Sequence, residues 1–587
     1  MRVPIKLFVY LFAALFLNTL LSIELSAQDH LHSIHTHPEF ERIDNQLQQG
    51  IITLDEAFTK KFSIAFTNYE ISTNSDSYSE YIKCLVPLVR DYYSKREQLS
   101  DQTKQVIDHF LTPEISSDTQ SHMSESGNFI FYYETEGSNA VPLTDSNNSG
   151  VPDYVEWAAF AADSSYRYQV EESGFVDFRK TDPYEIYFQN FNFYGTTTSS
   201  GSTSFIRIHN NFNGFPPNTH PEGDQIGALY VTIAHEIKHA IQYETNRWQG
   251  DAGSFDWIEM DATLMEEVVF PDVNDYYNYI KDDFESSAPN TRSLFQSPGS
   301  PTPGAYWHVS WMIYFYEEFG IDLWVDVWEQ FIEVRQKPFT DALSQSLSER
   351  GSSLSTEHLK NHMWHMTSGP AYSTSDFGFS DRENYPNPNY TGFLQSIPDS
   401  LQGFLLPFAA QYINATPSNV ALGQPQFTLT ANAPGVGIGV VGYFRDGSAR
   451  TQFTLNPASL EQTIQTTWNW ADLIDISIAV VNTNLDDNTN YQINIGSVIP
   501  NEDLIAQNFP NPFNASTNIE FSINQAKHVR VEVFDSIGRK VVTLADDQFN
   551  RGFHIINFDA SGLASGLYMY RIITDQTSIT KKMMLIK

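Results

Sequence analysis

Cysteine is almost absent from this sequence, since Cys84 is the single one among 587 residues. One cysteine excludes an intramolecular disulfide, so packed cores and bound metals are left to stabilise the fold. Basic residues are also scarce: 34 Lys and Arg face 71 Asp and Glu, and the formal net charge is −37. A field of that sign repels phosphate backbones, which excludes nucleic acid as the main partner. It suits an exported protein with acidic loops that bind Ca²⁺.

Long apolar runs are confined to the N-terminus. Residues 7–23 read LFVYLFAALFLNTLLSI, after Arg2 and Lys6 and before two small residues. A basic start, an apolar run and a small-residue exit predict a secretory signal peptide over residues 1–27. A membrane anchor is the alternative, but the run is at the short end for crossing a bilayer. We therefore expect an exported chain without an integral membrane segment after processing.

The rest of the chain is too long for one domain, and its composition and hydrophobic pattern change several times along its length. Hydrophobic residues make up 41% of the sequence, enough to build packed cores. We expect a multidomain protein with a helical start, a mixed α+β domain and two all-β sandwiches. The predicted divisions are residues 28–123, 124–397, 398–499 and 503–587.

The first of these segments is predicted to be helical. Apolar side chains recur at helical spacing within residues 81–111: Leu85, Leu88, Val89, Tyr92 and Tyr93. Because the segment precedes the motif that carries the chemistry, it is either a pro-segment or a helical cap. The sequence leaves both open.

The clearest chemical signal is HEIKH at residues 235–239. Isoleucine recurs every four residues through this stretch, which predicts a helix with a core-facing side. On such a helix His235 and His239 lie one turn apart on one face and can bind the same Zn²⁺ ion. Glu236 beside them can act as general base toward a metal-bound water. The motif is short, so a third metal ligand is needed before it indicates a zinc site.

A third ligand is available downstream, in WIEMDATLMEEVV, which has a helical apolar face. A second helix packed on the first would bring Glu259 to the ion and complete a site with an open fourth position. Asp261 and Glu266 are rival ligands, and Glu266 is also placed to fix a histidine tautomer from outside the ligand set. The alternative is a pair of ordinary helices with solvated acids.

Together these residues resemble the gluzincin branch of the zinc metallopeptidases. More narrowly, HEIKHAIQ followed by E-x-x-A-x-x-x-E and PDVNDY is similar to a family of secreted bacterial metallopeptidases typified in myxobacteria, over about residues 125–395. The resemblance implies a zincin-like catalytic domain, Zn²⁺ held by His235, His239 and Glu259, and Glu236 as catalytic base. Many gluzincins carry Asp four residues after the ligand Glu, whereas this chain has Thr263. The residue that orients the ligand histidine is therefore left open.

The activity implied is hydrolysis of a protein or peptide substrate by a metal-activated water. An oxyanion formed in that reaction needs a stabilising donor, and Tyr306 and His308 in GAYWHVSW are candidates. Aromatic core packing is the alternative for both. SFIRIHNN, at residues 204–211, predicts a strand. If it is a sheet edge beside the cleft, a peptide can add to it as an extra strand.

A second metal site is predicted in the loop DSNNSGVPDYVE, as a structural Ca²⁺ site. Oxygen ligands fall at calcium-loop positions one, three, five, seven, nine and twelve: Asp145, Asn147, Ser149, the Val151 carbonyl, Asp153 and Glu156. Gly150 occupies the sixth position, where such a loop turns sharply. An Asn- and Ser-rich surface turn is the alternative.

The single cysteine lies in the N-terminal segment, within YIKCLVPL. A thiolate is a good zinc ligand, so Cys84 is a candidate latency switch that fills the open zinc position until processing removes it. A buried, unpaired thiol is the more ordinary explanation.

The last block resembles an export signal. VRVEVFD alternates strictly, SIGR turns and KVVTL returns, as in a small antiparallel sandwich. NFPNPFN, the D-S-x-G-R turn and GLASGLYMYR resemble the type A sorting domain of the type IX secretion system of Bacteroidetes, over residues 503–587. The resemblance implies passage through that machinery to the medium or the outer-membrane surface. An ordinary adhesive β-domain is the alternative.

Two functions from different classes follow. The first is a secreted zinc metalloendopeptidase with an export domain. The second is a catalytically inactive surface-binding protein on a metallopeptidase scaffold, in which residues 400–498 dock polymers or cells. The intact Glu236 favours the first, since a degenerate scaffold has no need of the base.

Overall fold

The computed structural model describes most of the chain in several stretches. These are residues 38–66, 82–113, 115–249, 257–280, 306, 308–374, 377–416, 423–498 and 503–587. The predicted signal peptide, residues 1–27, lies outside them. The chain divides into two compact units. The first is Met1–Tyr279, Gln296–Val309 and Trp328–Lys337, and the second is Ile280–Phe295, Ser310–Val327 and Pro338–Lys587. The division falls inside the range expected for the catalytic domain.

One six-stranded sheet forms the basis of the first unit. Its strands are β1 (Ile82–Cys84), β2 (Gln120–Met123), β3 (Phe129–Tyr133), β4 (Tyr184–Gln189), β5 (Phe193–Ser200) and β6 (Thr203–His209). They lie in the order β1-β5-β6-β4-β3-β2. The pairs β1–β5, β4–β6 and β3–β4 are parallel, whereas β5–β6 and β2–β3 are antiparallel. The sheet is therefore mixed, with β1 and β2 at its edges.

The predicted strand at residues 204–211 forms as β6, but it is not a sheet edge. It lies between β5 and β4, so both of its backbone sides are occupied. The expectation that a peptide adds to this strand is therefore wrong. The sequence of one strand shows which of its faces are apolar. It does not show whether a neighbouring strand pairs with each side of its backbone.

Seven helices precede or accompany this sheet in the described part of the first 279 residues. They are α1 (Pro38–Gln48), α2 (Leu54–Phe66), α3 (Val86–Lys95), α4 (Asp101–Leu111), α5 (Asp153–Tyr166), α6 (Asp224–Asn246) and α7 (Trp257–Val269). α6 carries HEIKH and packs against α5, α7, β5 and β6. Ile233, Ile237 and Ile241 are fully buried, as their spacing predicted.

The N-terminal segment is helical only in part. Residues 82–84 are extended and pair with β5, with Ile82 opposite Phe193 and Cys84 opposite Gly195. The helical pattern expected across residues 81–111 is interrupted because Pro87 lies in the first turn of α3, where proline starts a helix. A second helix then begins at Ser100, whose side chain accepts a hydrogen bond from the Thr103 N–H. Two strands, β1 and β2, thus come from a segment predicted to be mostly helical.

Four helices follow along the described part of the chain: α8 (Val309–Phe319), α9 (Asp322–Glu333), α10 (Phe339–Glu349) and α11 (Leu354–Met366). The division between the two units falls within α8, after Val309, and within α9, after Val327, and the second unit also contains two pairs of sheets. None of the described helices is long and apolar enough to cross a membrane.

Residues 392–498 form two sheets around one buried core, and the first strand lies before the predicted range of 398–499. The strands are β7 (Gly392–Leu394), β8 (Asp399–Leu405), β9 (Ala410–Ala415), β10 (Gln424–Ala431), β11 (Val436–Phe444), β12 (Ala449–Thr454), β13 (Glu461–Gln465), β14 (Leu473–Asn482) and β15 (Thr489–Val498). The sheet orders are β13-β10-β15-β8 and β12-β11-β14-β9-β7. Both sheets contribute to the same buried cluster, for example through Phe427 and Ile438.

The C-terminal block repeats this design on a smaller scale. Its strands are β16 (Leu504–Ile505), β17 (Ser516–Ile523), β18 (Lys527–Asp535), β19 (Lys540–Phe549), β20 (Gly552–Asp559), β21 (Gly566–Ile573) and β22 (Ser578–Leu585). They form sheets β16-β17-β20 and β19-β18-β21-β22 around a core drawn entirely from residues 505–585. The predicted turn between β18 and β19 is closed by the Gly538 N–H, which donates to the Asp535 carbonyl at 3.0 Å.

Candidate metal centre

Two helices and one edge strand bring four metal-binding side chains together. Cys84 comes from β1, His235 and His239 from α6, and Glu259 from α7. Their ligand atoms lie within 4.8 Å of one another, and all four residues are buried. Within the residues that the structure describes, no other group of three or more His, Cys, Asp and Glu side chains meets this spacing.

The three zinc ligands implied by the resemblance face one another closely. His235 Nε2 and His239 Nε2 are 3.1 Å apart. Glu259 Oε2 lies 3.2 Å from the first nitrogen and Glu259 Oε1 lies 3.2 Å from the second. Ligand atoms about 2.0 Å from a tetrahedral Zn²⁺ are about 3.3 Å apart, so this spacing fits one small ion.

Glu266 fixes the tautomer of His235. Its Oε1 lies 2.7 Å from His235 Nδ1, and its Oε2 accepts from the Lys83 ammonium at 3.0 Å. Because this carboxylate accepts, Nδ1 carries the proton in the neutral ring and Nε2 presents its lone pair. Glu266 therefore lies outside the ligand group and orients one ligand from behind.

Gln242 performs the same task for His239. The Gln242 Nε2 donates to Asp261 Oδ2 at 2.8 Å and to the Ile258 carbonyl at 3.0 Å. Its Oε1 consequently faces the ring and lies 2.8 Å from His239 Nδ1. Nδ1 is again the protonated atom, and Nε2 again presents a lone pair. Asp261, the rival ligand, is used behind the histidine and not at the centre.

In their neutral tautomers both histidines present an Nε2 lone pair to the centre. The two Nε2 atoms and the Glu259 carboxylate converge in a buried space. Glu259 Oε1 is fully buried and makes no hydrogen bond, although it lies 3.2 Å from His239 Nε2. These groups require a proton or a metal cation between them, and without a metal, against the opposing effect of burial, the contacts with Glu259 and Glu266 raise the pKa of His235 to about 9. Two histidine nitrogens and a carboxylate are ligands that Zn²⁺ takes, so the residues present fit the ion that the resemblance implies.

Glu236 lies beside this group on the same helix. Thr197 Oγ1 donates to its Oε2 at 2.8 Å, and the Cys84 Sγ lies 3.4 Å from its Oε1. Burial raises the pKa of the Glu236 carboxyl, and the neighbouring histidines offset part of that rise. A raised pKa suits a carboxylate that has to accept a proton near neutral pH.

Gly195 lets β5 pass directly over this carboxylate. A Cβ added there would lie 2.7 Å from Thr232 Cγ2 and 3.0 Å from Glu236 Cγ. Only a residue without a side chain permits so close an approach of strand to helix.

Tyr306 reaches the centre, but through Glu259. Its hydroxyl donates to Glu259 Oε2 at 2.6 Å. His308 is half-buried and is not one of the four clustered residues. The role of either residue as oxyanion donor therefore stays a prediction. Thr263, at the position where the family pattern has Asp, donates to the backbone carbonyl of Glu259 at 2.8 Å.

Sequence reasoning missed four residues that support the centre. They are Lys83, Thr197, Gln242 and Asp275. Gln242 had a readable signal, because it follows His239 by three positions on one helix and thus shares its face. The other three come from distant segments and carry no local signal.

The predicted calcium loop folds around Gly150, whose φ is 87°. The N–H groups of Ser149 and Gly150 donate to the two carboxylate oxygens of Asp145, each at 3.0 Å. The Asn147 Oδ1 accepts from the Ser149 N–H at 2.9 Å, and the Val151 carbonyl accepts from the Ser149 hydroxyl at 3.2 Å. The first positions of the loop are thus ordered around the expected turn.

The last two acidic residues of the loop accept hydrogen bonds from other residues of the loop. Asp153 is buried and accepts from the N–H and the hydroxyl of Ser146, at 2.9 Å and 2.7 Å. Glu156 Oε2 accepts from the Asn147 amide at 2.8 Å. The carboxylates of Asp145, Asp153 and Glu156 do not form a group of ligand atoms within 4.8 Å of one another, as the residues of the first centre do. Binding of Ca²⁺ here stays a prediction.

Comparison with known families identifies the C-terminal block. Residues 507–587 match a family model described as a secretion system C-terminal sorting domain. The chain carries a type IX secretion sorting domain. The prediction of a type IX sorting domain is thereby confirmed, and such a domain implies export to the cell surface or the medium. The match to the sorting domain does not extend to the metal centre.

Solved structures resemble parts of the chain at low scores. A component of the type IX secretion system, PorZ of Porphyromonas gingivalis, is 16% identical over 16% of this chain and 14% of its own, with a TM-score of 0.12. The adhesin domain of Epf from Streptococcus pyogenes is 10% identical over 32% of this chain and 78% of its own, with a TM-score of 0.14. Scores this low carry no conclusion about function. None of the curated proteins compared matches the chain.

Proposed function

We propose that this protein is an exported zinc metallopeptidase with a zincin-like catalytic domain in its first unit. His235, His239 and Glu259 would hold the ion, and Glu236 would act as general base. The single observation that carries this proposal is the buried group of two Nε2 atoms and one carboxylate, 3.1 to 3.2 Å apart. Two histidine nitrogens and a carboxylate at this spacing form the ligand set of a zinc site that leaves a fourth position open.

When bound, Zn²⁺ supplies a Lewis acid that lowers the pKa of a water molecule and polarises a carbonyl group. The residues of this chain supply the proton transfer. Glu236, held by the Thr197 hydroxyl at 2.8 Å, takes a proton from the attacking water and passes it to the leaving amine nitrogen. Glu266 and Gln242 keep both ligand histidines in the tautomer that binds a metal.

An inactive binding protein on the same scaffold is disfavoured by Glu236. Its carboxylate is fully buried, oriented by Thr197 and placed beside the ligand group. A buried carboxylate with few partners costs stability, and a binding protein gains nothing from keeping it.

The test combines zinc content with hydrolysis. The chain from residue 28 onward is purified, loaded with zinc and nicked by limited proteolysis in the exposed linker at residues 115–118. We expect one zinc per chain in the wild type and in Glu236→Gln, and loss of zinc in His239→Ala. Hydrolysis of fluorescent casein should fall at least about 100-fold in Glu236→Gln.

Glu244→Gln is the matched control, because Glu244 lies on the same helix but pairs with Arg247 and Lys180. It should retain full activity. A chain that binds no zinc, or a Glu236→Gln variant that digests casein as fast as the wild type, would contradict the proposal. Stoichiometric zinc without hydrolysis in any form would favour the inactive binding protein.

A further inference from the structure

We propose that strand β1 is an internal inhibitor of this centre. Ile82–Cys84 occupies the edge of β5 where an extended peptide would bind, and the Cys84 thiolate fills the fourth metal position. Cleavage after α4 and release of the N-terminal segment would then open the site. This inference rests on the proposed function, because it assigns the regulation of that same site.

The thiol is positioned as a ligand. Cys84 Sγ is within 4.8 Å of the ligand atoms of His235, His239 and Glu259, and the residue is 5% exposed. The Val86 N–H, at the start of α3, donates to the sulfur at 3.3 Å. Burial and the carboxylates of Glu236 and Glu259 raise the pKa of the Cys84 thiol well above its ordinary value and outweigh this donor, so a bound metal has to displace the thiol proton.

A second observation points to an ion at the same place. Glu259 Oε1 is fully buried and makes no hydrogen bond, and it lies 3.2 Å from His239 Nε2, in the same group of ligand residues as Cys84. An unsatisfied buried carboxylate oxygen is costly, whereas a dication shared with the thiolate would satisfy both.

Strand β1 also blocks the sheet. Its backbone pairs in parallel with β5, and the Leu85 N–H extends the pairing by donating to the Gly195 carbonyl at 3.2 Å. On the other side of β5 lies β6, so the β1 side is the one available for an added strand. A peptide that binds by strand addition has to take the place that β1 holds.

Lys83 fixes the register of this strand. Its ammonium lies 3.0 Å from Glu266 Oε2 and 2.5 Å from Asp275 Oδ2, and all three side chains are buried. A shift by one residue would leave these two carboxylates buried without a cation and would turn the thiol away from the metal. The lysine therefore holds Cys84 in the position that closes the site.

The chemistry is a reversible exchange of ligands. On binding, the Cys84 S–H bond breaks, its proton goes to solvent and a sulfur–metal bond forms. On release, that bond breaks, the thiolate takes a proton from solvent and a water molecule occupies the position. No oxidant or reductant is needed.

The N-terminal segment can be separated by a cut in an exposed connection. Residues 115–118, between α4 and β2, are exposed, and Ile115 is 61% exposed. A cut here separates the segment that carries β1 from strands β2 to β6. The strands that remain include β5, with its edge free.

The first experiment reads the metal site directly. The chain from residue 28 onward is loaded with Co²⁺, and its absorption spectrum is compared with that of Cys84→Ser, a variant of nearly the same volume. We expect a thiolate-to-cobalt charge-transfer band in the wild type and its loss in Cys84→Ser, with one cobalt bound in both. Identical spectra would overturn the role of Cys84.

The second experiment tests the strand. A site-specific protease sequence replaces residues 115–118, and the zinc-loaded chain is assayed for peptide hydrolysis before and after the cut, with size exclusion to follow release of the fragment. We expect hydrolysis to rise at least about 10-fold on release, and the charge-transfer band of the cobalt form to vanish. Equal activity of the uncut and the released form would overturn the inhibitor.

Glu236→Gln in the same cut chain separates the two proposals. It should lose the charge-transfer band on release like the wild type, yet show no hydrolysis. If the band disappears on release but wild-type hydrolysis is absent as well, the proposed function fails while the ligand role of Cys84 stands. If hydrolysis is present and equal before and after the cut, the function stands and the inhibitor fails.

Discussion

At the scale of single residues, the centre depends on partners that lie outside the motif. HEIKH supplies two histidines and a glutamate, but the tautomer of each ring is set by Glu266 and Gln242. Thr263, where the gluzincins that the sequence resembles carry Asp, bonds to its own helix, and Glu266 further along α7 makes the contact with His235. A carboxylate of α7 thus supports this histidine.

Replacing that carboxylate should weaken metal binding. Glu266→Gln replaces the charged acceptor of the His235 Nδ1 proton by a neutral amide and breaks the ion pair with Lys83, so we expect zinc affinity to fall about 10- to 100-fold. Competition with a chromophoric chelator measures this change. Glu329→Gln, an exposed acid on α9, is the control and should bind zinc like the wild type. Unchanged affinity in Glu266→Gln would remove Glu266 from the site.

At the scale of elements, the loop before α5 offers a test of the second metal. Its turn is already ordered by Asp145 and Gly150. We expect millimolar Ca²⁺ to raise the midpoint of thermal unfolding of the wild type, and Asp145→Ala to abolish that rise. Differential scanning calorimetry with Ca²⁺ and with Mg²⁺ measures it. The same midpoint with and without Ca²⁺ in the wild type would favour a plain surface turn.

Strand β17 of the sorting domain contains a buried acid that makes stability depend on pH. Glu520 is 3% exposed, and its Oε2 has no hydrogen-bond partner. Burial raises the pKa of Glu520 to about 7 from an ordinary value of 4.5. Below about pH 4.5 both folded and unfolded states carry the proton. Between about pH 4.5 and 7 the unfolded state loses its proton while the folded state keeps it, so stability falls as pH rises until the folded carboxyl ionises at about pH 7.

The matching variant isolates this effect. Between pH 5 and pH 8 residues 503–587 should lose roughly 2 kcal/mol more stability in the wild type than in Glu520→Gln. Urea denaturation at the two pH values measures both, since the core of this block is drawn from its own residues. Parallel pH profiles of the two proteins would show that Glu520 does not titrate in this range.

At the scale of the whole molecule, the sorting domain should decide where the protein goes. Deletion of residues 507–587 removes the matched domain, so we expect the shortened chain to stay inside the outer membrane of a bacterium with a type IX system. Immunodetection in the medium, on intact cells and in the periplasmic fraction measures this. A strain without the secretion system, expressing the full chain, is the control and should show the same retention. Equal surface display of the shortened chain would contradict the prediction.

The sequence by itself determined the features that depend on local periodicity, namely single helices, single strands and hairpin turns. The four-residue spacing of His235 and His239 placed both rings on one helix face, and strict alternation in VRVEVFD predicted β18. The turn chemistry of residues 536–539 predicted the hairpin that follows. These features depend on neighbours within one helix or one hairpin, so the sequence contains all the information that they need.

Only the tertiary structure decided which distant segments meet at the centre. It selected Glu259 over Asp261 as the acid facing both histidines, and it brought Cys84 to Glu236 across 152 positions of the chain. It also placed β6 inside the sheet and β1 at its edge. Periodicity shows which face of a segment is apolar, but the packing of whole elements decides which other segment covers that face.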